Sequence, residues 1–483
     1  MPKRRSCRGI TAPRRRWSSE RNKRSMNTRP TARRRHGKEI PIDTVVPGMQ
    51  ASSGILFGLR KPLSVHEVGK LALSLARLRR DGNGIILRCR ETFPYMIPVL
   101  SQVDGIISPK TTVVSKSHAA EFCREEGKSF VMADESTWGA LERHEGKMVL
   151  VDSRAQKVVI DPDGHWAEKA AAGYAPLPET RLIADLIAAG RHISLLSTVP
   201  EALGRRGNFS FFCRQEQLLT SGGVSPWELL RRGQKDMREL LHSLWSGYVG
   251  GIPSDFEIVL RSLDARSDEY PDSPLKTERN PQLGNHGPSL FKRYPHLLDG
   301  ETAAVATLKN EYRDRKLTYL LPFVRCADEI DSARHSLSDA LCKRSLAADA
   351  VQLAVMFETP ALVYLMDDLA AAQVKTIWVG TKDLLMSFMM ADRDNPDPLL
   401  QDYLNLHDDR GKPNLPFLNY LSESVDRFVS HGFEVVIYSL AGEVPIYVEY
   451  LPKSVGFLLS KGAVKASLSL LPDPPSGDHV TQP

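Results

Sequence analysis

Residues 351–383 read VQLAVMFETPALVYLMDDLAAAQVKTIWVGTKD, and this stretch determines the fold that we expect for most of the chain. It contains two short apolar runs, Val351–Val355 and Thr376–Gly380, with a helical stretch between them. Strands that alternate with helices in this way indicate parallel βαβ units. A carboxylate follows each run, Glu358 after the first and Asp383 after the second. The carboxyl ends of parallel strands share one edge of a sheet, so both side chains are expected there.

The same rhythm continues through the rest of the C-terminal part of the chain. Further apolar runs lie at 193–197, 209–213, 256–261, 317–321 and 434–438, and a weaker run near Leu283 is taken as the eighth strand. About 300 residues with eight such strands suit a (β/α)8 barrel of the TIM type, in which the chemistry lies at the C-terminal strand ends. Arg214 and Arg261 occupy such ends, like Glu358 and Asp383. A doubly wound sheet has the same periodicity, so the pattern alone leaves both folds open.

The preceding part of the chain alternates shorter strands and helices. Apolar runs predict strands at 54–58, 84–88, 103–108, 147–152 and 157–161, and a helix is expected over about 117–126. The rhythm changes after about residue 175, and more than one domain suits 483 residues. We therefore predict an α/β protein with a basic tail at 1–45, a β/α domain at 46–165, a linker at 166–180, the barrel at 181–465 and a flexible tail at 466–483.

The N-terminal tail holds most of the positive charge. Residues 1–38 contain 15 Lys and Arg against one acid, whereas the whole chain has a net charge of +6, so the rest sums to −8. Such a segment has few apolar residues and is expected to be disordered. It suits a tether to nucleic acid or a membrane surface, or an organellar transit peptide, but it lacks the apolar core of a secretory signal. The alternative is an over-extended gene start, with Met26 or Met49 as the true first residue.

The composition indicates a globular protein of a reducing compartment. Hydrophobic residues make up 42% and charged residues 25% of the chain, as in ordinary globular proteins. No uninterrupted apolar run reaches the roughly 18 residues that a membrane helix needs. The six cysteines are scattered without a C-x-x-C pair, which argues against a zinc site and a disulfide framework. We expect a cytoplasmic protein, or an organellar one if the basic tail is a transit peptide.

Nine short windows, in order along the chain, contain chemically informative residues. They are 51–58 (ASSGILFG), 90–94 (RETFP), 115–127 (SKSHAAEFCREEG), 211–216 (FFCRQE), 261–264 (RSLD), 280–287 (NPQLGNHG), 357–361 (FETPA), 379–383 (VGTKD) and 391–393 (ADR). A single window of this kind would be weak evidence. Their order from residue 51 to residue 393 is strong evidence for common ancestry and fold.

The windows resemble the motifs of the phosphoenolpyruvate-utilising enzymes, which include pyruvate phosphate dikinase, phosphoenolpyruvate synthase and enzyme I of the sugar phosphotransferase system. The chain is similar to the C-terminal two-thirds of the dikinase and the synthase. The resemblance implies a swivelling phosphohistidine domain over 46–165, followed by a phosphoenolpyruvate- or pyruvate-binding (β/α)8 barrel. His118 falls on the histidine that the family phosphorylates, and a histidine nitrogen is a competent phosphoryl acceptor at neutral pH.

The resemblance also assigns roles in the barrel, and the residue types suit them. Arg214 and Arg261 are expected to bind the phosphate of the substrate, because guanidinium groups bind phosphate with two parallel hydrogen bonds. Glu358 and Asp383 are expected to hold Mg²⁺ between the phosphate and carboxylate of the substrate.

Three departures from the family motifs lie in the expected site. His286 replaces a third phosphate-binding arginine, and Lys382 replaces the asparagine beside the metal position. Both remain expected substrate contacts, although the Lys382 charge should weaken Mg²⁺ binding. The cysteine that protonates the enolate carbon corresponds to Ile437, whose hydrocarbon side chain cannot transfer a proton. In the phosphohistidine loop, Val113 and Val114 replace paired glycines that would allow close backbone approach to a phosphate.

We therefore expect a phosphoenolpyruvate-linked phosphotransferase that acts through His118, with impaired protonation of the product. The alternative is a degraded pseudoenzyme that binds a phosphoenolpyruvate-like ligand and acts as a sensor or scaffold. Nucleic-acid binding rests on the tail alone and ranks third. An ATP-grasp domain and a carrier-binding domain are not evident in the sequence, so a separate ATP-grasp or carrier protein is an expected partner. A homodimer through the barrel is left open.

Overall fold

A computed structural model of the chain describes two β structures joined in sequence. The described residues are 38–41, 44–45, 51–59, 63–80, 82, 84–90, 94–109, 122–123, 126, 128–153, 156–163, 166, 177–196, 207–275, 277–393, 395, 397–408 and 410–472. His118, Val113 and Val114 lie outside them, as do residues 1–37 of the predicted tail and 473–483 at the other end.

The first structure is a mixed sheet of eight strands. They are β1 (Lys38–Pro41), β2 (Thr44–Val45), β3 (Ala51–Leu59), β4 (Ile85–Cys89), β5 (Gly105–Pro109), β6 (Ser129–Ala133), β7 (Met148–Asp152) and β8 (Lys157–Ile160). Their order is β1-β8-β7-β3-β4-β5-β6-β2. Strands β3 to β6 are parallel, and β7 and β8 continue the sheet in antiparallel fashion. The helices with described bounds in this part of the chain are α1 (Val65–Arg80), α2 (Ile97–Leu100) and α3 (Glu135–Glu142).

The two outermost strands lie inside the segment that the sequence predicts as a tail. β1 pairs with the edge of β8 and β2 pairs with the edge of β6, both antiparallel. An edge strand leaves backbone donors and acceptors unpaired, and these short strands satisfy them. Ile40 of β1 is buried against the sheet. Residues 38–41 and 44–45 at the end of the predicted tail therefore pair with the sheet.

The second structure is a closed barrel of eight strands. They are β9 (His192–Leu196), β10 (Asn208–Arg214), β11 (Glu257–Arg261), β12 (Leu317–Leu321), β13 (Gln352–Phe357), β14 (Val374–Val379), β15 (Glu434–Tyr438) and β16 (Gly456–Ser460). All neighbours are parallel, and β16 pairs with β9 to close the ring. The predicted barrel is confirmed, and the doubly wound alternative is excluded.

Helices surround the barrel and connect its strands. They are α4 (Pro178–Ala188), α5 (Gln215–Ser221), α6 (Pro226–Leu230), α7 (Gln234–Gly250), α8 (Ser289–Arg293), α9 (Pro295–Glu311), α10 (Ala327–Cys342), α11 (Met366–Ala371), α12 (Thr381–Met389), α13 (Pro398–Asp402), α14 (Leu415–Ser430), α15 (Val444–Tyr450) and α16 (Lys461–Leu468). In the described part of the chain, no helix is long and apolar enough to cross a membrane.

Alternate residues of each barrel strand face two separate cores. Val436 and Tyr438 belong to a cluster inside the barrel, with Trp378 among its members. Val435 and Ile437 belong to the larger core between the strands and the surrounding helices. Both faces of these strands are therefore buried, as expected for parallel strands covered by helices.

One of the eight predicted strands is wrong, and one strand was not predicted. Leu283 lies in a 3₁₀ turn, Pro281–Leu283, and is 64% exposed. Proline before it and glycine after it break a strand, so the turn is the natural conformation of this segment. The eighth strand is Gly456–Ser460, a buried run of five residues that lies near the end of the chain.

The sheet and the barrel share one hydrophobic cluster, which includes Ile97 and Leu100 of α2 and Leu218 and Leu219 of α5. The ring of Tyr95, which precedes α2, lies 6.4 Å from the ring of Tyr270. Lys461 at the start of α16 forms an ion pair of 3.8 Å with Glu126. No described strand of the sheet pairs with a strand of the barrel.

The division into domains at 166–180 is a prediction that limited proteolysis can test. We expect a protease to remove the basic tail first and then to cut between about 163 and 180, because no described strand of the sheet pairs with a described strand of the barrel. Mass spectrometry of the fragments measures the cleavage sites. A single resistant fragment that spans residues 46–465 would contradict the division.

Candidate active site

Two predicted phosphate-binding residues end neighbouring barrel strands at the same level. Arg214 ends β10 and Arg261 ends β11, and the two residues are direct partners in the strand register. Their side chains occupy alternate positions that continue the inward-facing series of Phe212 and Val259. The structure therefore brings both guanidinium groups to the C-terminal mouth of the barrel, where TIM barrels place their chemistry.

Arg261 is held between two carboxylates. Its Nη2 lies 2.5 Å from Glu216 Oε1, and its Nη1 lies 3.2 Å from Asp264 Oδ2. Burial would lower the pKa of the Arg261 guanidinium, but the two carboxylates outweigh burial and raise that pKa above its ordinary value. The Nε–H of Arg261 is buried without a partner among the described residues. Arg261 is thus a permanent, fixed cation.

His286 lies behind this pair, with both ring nitrogens engaged by protein atoms. Nδ1 is 3.2 Å from Asp264 Oδ1, and Nε2 is 3.0 Å from the carbonyl oxygen of Gln282. Burial raises the pKa of Asp264, but Arg261 and the hydrogen bond from His286 outweigh burial and lower it. An ionised Asp264 and a carbonyl both accept hydrogen bonds, so each ring nitrogen of His286 lies against an acceptor of the protein. The ring is 1% exposed and fixes Asp264 from the side of the protein.

Glu358 is a carboxyl group buried at the end of β13. It is 1% exposed, and its Oε2 accepts a hydrogen bond of 3.0 Å from the backbone N–H of Phe323. Burial, followed by the nearby charges of Asp383 and Asp264, raises the pKa of Glu358 well above its ordinary value. Phe323 has a φ of 49°, which is rare for a bulky residue and marks local strain. A cation near Glu358 would favour its ionised form.

Gly380 provides the space that Glu358 occupies. A Cβ atom added at Gly380 would lie 2.4 Å from both Cγ and Oε1 of Glu358. A side chain at this position would therefore displace the carboxyl group. The glycine of the window 379–383 is required for close packing of two neighbouring strand ends.

Asp383 lies in the first turn of α12 and pairs with Arg393. Their closest atoms, Asp383 Oδ1 and Arg393 Nη1, are 3.1 Å apart. The charge of Asp383 also acts on Glu358, so the two predicted metal ligands lie near each other. The described residues contain no group of three or more His, Cys, Asp or Glu side chains that could hold a metal. Mg²⁺ commonly uses one or two protein carboxylates together with substrate phosphate, and Glu358 with Asp383 fits that donor set.

Lys382 and Arg214 lie around the ring of Tyr438. The Lys382 ammonium is 5.6 Å from the ring centroid, and the Arg214 guanidinium is 5.9 Å from it. Cations at such distances from an aromatic ring are attracted by its electron density. Two predicted substrate-binding cations therefore lie near the same aromatic ring, at the end of β15.

The expected place of Ile437 in the site is wrong. Its side chain is fully buried in the core between strands and helices, on the opposite side of β15 from the barrel interior. The inward residue at the end of β15 is Tyr438. Successive side chains of a strand point to opposite faces, so a shift of one residue in the motif alignment exchanges the two positions.

A buried carboxyl group ties together the strand ends that hold the arginines. Glu301 in α9 is 0% exposed and accepts hydrogen bonds from four donors of the protein. They are Gln215 Nε2 (3.0 Å), Ser262 Oγ (2.6 Å), the Leu263 N–H (3.3 Å) and Tyr319 Oη (2.6 Å). Gln215 follows Arg214 and Ser262 follows Arg261, so Glu301 fixes the exits of both strands. Burial raises the pKa of Glu301 despite these donors.

Sequence reasoning missed several residues that shape this site. Glu216, Asp264 and Arg393 stand inside the quoted windows, and their charge next to the assigned residues was the available signal. Tyr438 was missed because the cysteine of the family motif was aligned with Ile437, one residue earlier. Glu301 had no signal, because an isolated glutamate in a helix is normally exposed.

In the sheet, the window 90–94 has one described contact of note. Arg90 forms a bidentate ion pair of 3.0 Å with Glu135. Both side chains are largely exposed, so this pair contributes little to stability.

Comparisons with known proteins agree with the motifs. The family described as PEP-utilising enzyme, PEP-binding domain, matches residues 248–462. Phosphoenolpyruvate synthase of Pyrococcus furiosus is 23% identical over 414 residues, which cover 83% of this chain and 47% of that protein. Phosphoenolpyruvate-protein phosphotransferase of Borreliella burgdorferi is 28% identical over 220 residues, or 44% of this chain and 35% of that protein. The chain thus spans about half the length of the synthases that it matches.

Solved structures share only a distant likeness with the chain. Malate synthase of Haloferax volcanii has 12% identity and a TM-score of 0.36, covering 59% of this chain and 74% of that chain. An HpcH/HpaI aldolase/citrate lyase family protein of Burkholderia cenocepacia has 13% identity and a TM-score of 0.31, covering 60% and 96%. Likeness of this degree supports no functional argument.

Replacing Glu301 should destabilise the barrel in a manner that depends on the substituent. Glu301→Ala leaves several buried donors without an acceptor, and each such group costs about 1–3 kcal/mol, so we expect a loss of about 3 kcal/mol or more. Glu301→Gln keeps one acceptor oxygen and should cost about half as much. Urea denaturation measures both free energies of unfolding. The exposed Glu239→Gln is the control and should change stability by less than about 0.5 kcal/mol.

The pH dependence of the free energy of unfolding tests whether Glu301 acts through its ionisable carboxyl group or through packing alone. Because burial raises the pKa of folded Glu301 above its unfolded value near 4.5, its contribution is greatest below pH 4.5 and declines as pH rises through the folded pKa. Glu301→Gln should remove this decline, so its deficit relative to the wild type should be larger at acidic than at neutral pH. A deficit that is the same at both values would contradict the assigned burial of this carboxyl group.

Proposed function

We propose that this chain, whose residues 248–462 match the PEP-binding domain of the PEP-utilising enzymes, is a phosphoenolpyruvate-linked phosphotransferase that acts through His118. The observation that carries the proposal is the registered pair Arg214 and Arg261, which meets Glu358 and Asp383 at one mouth of the barrel. This arrangement unites anion-binding and cation-binding groups, as transfer of a phosphoryl group requires.

The charges of the mouth suit a small, highly charged anion. Arg214 and Lys382 contribute two cations around Tyr438, and Arg261 contributes a third that is fixed by Glu216 and Asp264. Preorganised cations stabilise charge that moves between the phosphate and the acceptor nitrogen. In this proposal, Arg214 and Arg261 bind the phosphate, while His286 acts through Asp264 to hold Arg261 in place.

Glu358 and Asp383 would hold Mg²⁺ in the proposed site. When bound, Mg²⁺ would neutralise negative charge on the substrate phosphate and carboxylate. The fit rests on the buried Glu358 carboxyl group, whose ionisation is opposed by burial and by two neighbouring carboxylates. Arg393 orients Asp383 from one side, and the Phe323 N–H orients Glu358 from another.

A ligand sensor or scaffold is the second candidate function. Arg261 is already paired with Glu216 and Asp264, and Asp383 is paired with Arg393. A site with these internal pairs can bind an anion without passing its phosphoryl group to His118. A separate ATP-grasp or carrier protein would serve as phosphoryl partner of the enzyme, whereas the sensor needs none.

Labelling of His118 separates the two candidates. Incubation with phosphoenolpyruvate labelled in the phosphate should give a protein label that is stable in base and labile in acid, because phosphohistidine has this stability. His118→Ala should abolish the label, and the exposed His335→Ala on α10 should retain it. Wild-type protein that binds phosphoenolpyruvate in calorimetry but takes up no label would support the sensor and contradict the phosphotransferase.

Metal affinity tests the effect of the lysine next to Asp383. Two unit charges 4 Å apart interact by about 4 kcal/mol at an effective dielectric constant near 20, so even a more distant ammonium group should weaken cation binding. We expect Lys382→Asn to bind Mn²⁺ and Mg²⁺ at least about tenfold more tightly than the wild type in calorimetry. Lys375→Asn, which removes an exposed lysine of β14, is the control. Equal affinities of Lys382→Asn and the wild type would contradict the prediction that the Lys382 charge weakens metal binding.

A further inference from the structure

The geometry points to Tyr438 as the acid that protonates the enolate carbon when the phosphoryl group has left the substrate. This inference deepens the proposed function and rests on it. It assigns to the end of β15 a role for which the residue expected from the sequence, Ile437, is on the wrong face of the strand.

The position of Tyr438 is the first argument. It ends β15 at the C-terminal mouth, and its side chain belongs to the cluster inside the barrel. The backbone at this point is fixed, because the buried Thr381 hydroxyl donates a hydrogen bond of 3.0 Å to the Tyr438 carbonyl oxygen. Thr381 begins α12 and precedes Lys382 and Asp383. The strand end with Tyr438 is thus tied to the segment that holds a proposed metal ligand.

The surroundings of the ring are the second argument. Arg214 and Lys382 lie within 6 Å of the ring centroid, and they come from two other segments of the mouth. A phenol that gives up its proton becomes an anion, and neighbouring guanidinium and ammonium groups stabilise that anion. The same two cations are proposed substrate contacts, so the ring lies beside the place where the substrate would bind.

The chemistry of the step is balanced with the groups at hand. The bond between phosphorus and the enol oxygen breaks as a bond between phosphorus and the His118 nitrogen forms, which leaves the enolate of pyruvate. Carbon 3 of the enolate then takes the proton of the Tyr438 hydroxyl and becomes the methyl group of pyruvate. The phenolate recovers a proton from solvent. A phenol has an ordinary pKa near 10 and therefore holds its proton at neutral pH.

The cations of the mouth and the other aromatic N–H of the interior are less suited to this step. Arg214, Arg261 and Lys382 are cations that bind the anion, and a guanidinium does not release its proton in proteins. In the hydrophobic cluster inside the barrel, Tyr438 and Trp378 are the members with a side-chain hydrogen on oxygen or nitrogen. Trp378 lies within β14 rather than beyond its end. Its indole N–H donates hydrogen bonds but does not release its proton in water.

Exchange of the pyruvate methyl protons in heavy water tests the inference. The wild-type protein with Mg²⁺ should accelerate the loss of the methyl signal in proton NMR, because the phenolate form of Tyr438 removes a proton from carbon 3 and the resulting phenol, after exchange with solvent, returns a deuteron. Tyr438→Phe should slow this exchange by about 100-fold or more, in the range of a general acid. It should still take up label at His118 within about tenfold of the wild-type rate, because phosphoryl transfer precedes protonation.

Two controls make the result specific to Tyr438. Tyr403→Phe removes a phenol that is 53% exposed, and Ile437→Cys places a thiol at the position expected from the motif. Both should exchange the methyl protons like the wild type. Faster exchange by Ile437→Cys would show that position 437 reaches the substrate and would overturn the inference.

The remaining outcomes also support or overturn the role of Tyr438. Thermal unfolding and pyruvate calorimetry establish whether Tyr438→Phe is folded and binds, and Tyr438→His supplies a second folded variant with a different acid. Exchange by a folded, binding Tyr438→Phe at the wild-type rate overturns the role of Tyr438 but leaves the labelled phosphotransferase intact. Partial recovery of exchange in Tyr438→His supports the role. Wild-type protein without label and without exchange rejects the proposed function together with this inference.

Discussion

A carboxyl group without water must find its hydrogen-bond donors within the protein, and Glu301 finds four of them, three on residues that follow β10 and β11 and one on Tyr319 within β12. Leaving such a group unsatisfied is costly, so the donors have little freedom to move apart. Gln215 and Ser262 directly follow the two arginines of the mouth. The geometry of the two arginines therefore depends on a buried carboxyl group of helix α9.

The mouth itself is organised by charges that are satisfied in advance. Arg261 lies between Glu216 and Asp264, Asp264 in turn contacts His286, and Asp383 contacts Arg393. These contacts hold the groups in place without a ligand, which is what preorganised electrostatics require. Glu358 differs, since its described contact is a backbone N–H and its ionisation is opposed by its surroundings. The strained backbone of Phe323 supplies that contact, and Gly380 supplies the space.

The fold was largely accessible from the order of apolar runs, and the errors have a common cause. Seven barrel strands were predicted, but a run near Leu283 was taken for the eighth in place of Gly456–Ser460. Both faces of a barrel strand are buried, so its apolar pattern does not alternate and a short run is hard to tell from a buried turn. For the same reason, the apolar pattern does not show which side chains of β15 face the barrel interior. Ile437 and Tyr438 are both buried, and nothing in their residue types indicates which one faces the interior.

The sequence by itself determined the α/β architecture, the barrel, the family resemblance and the placing of Arg214, Arg261, Glu358 and Asp383 at strand ends. It could do so because strand periodicity and short motifs are local properties of the chain. Only the tertiary structure decided that the two arginines share one level, that Asp264 and Glu216 hold Arg261, and that Tyr438 rather than Ile437 faces the mouth. These facts depend on strand register, on the direction of side chains and on partners up to 86 residues away along the chain, as between Gln215 and Glu301. No local pattern records such distances, because they arise only when the barrel closes.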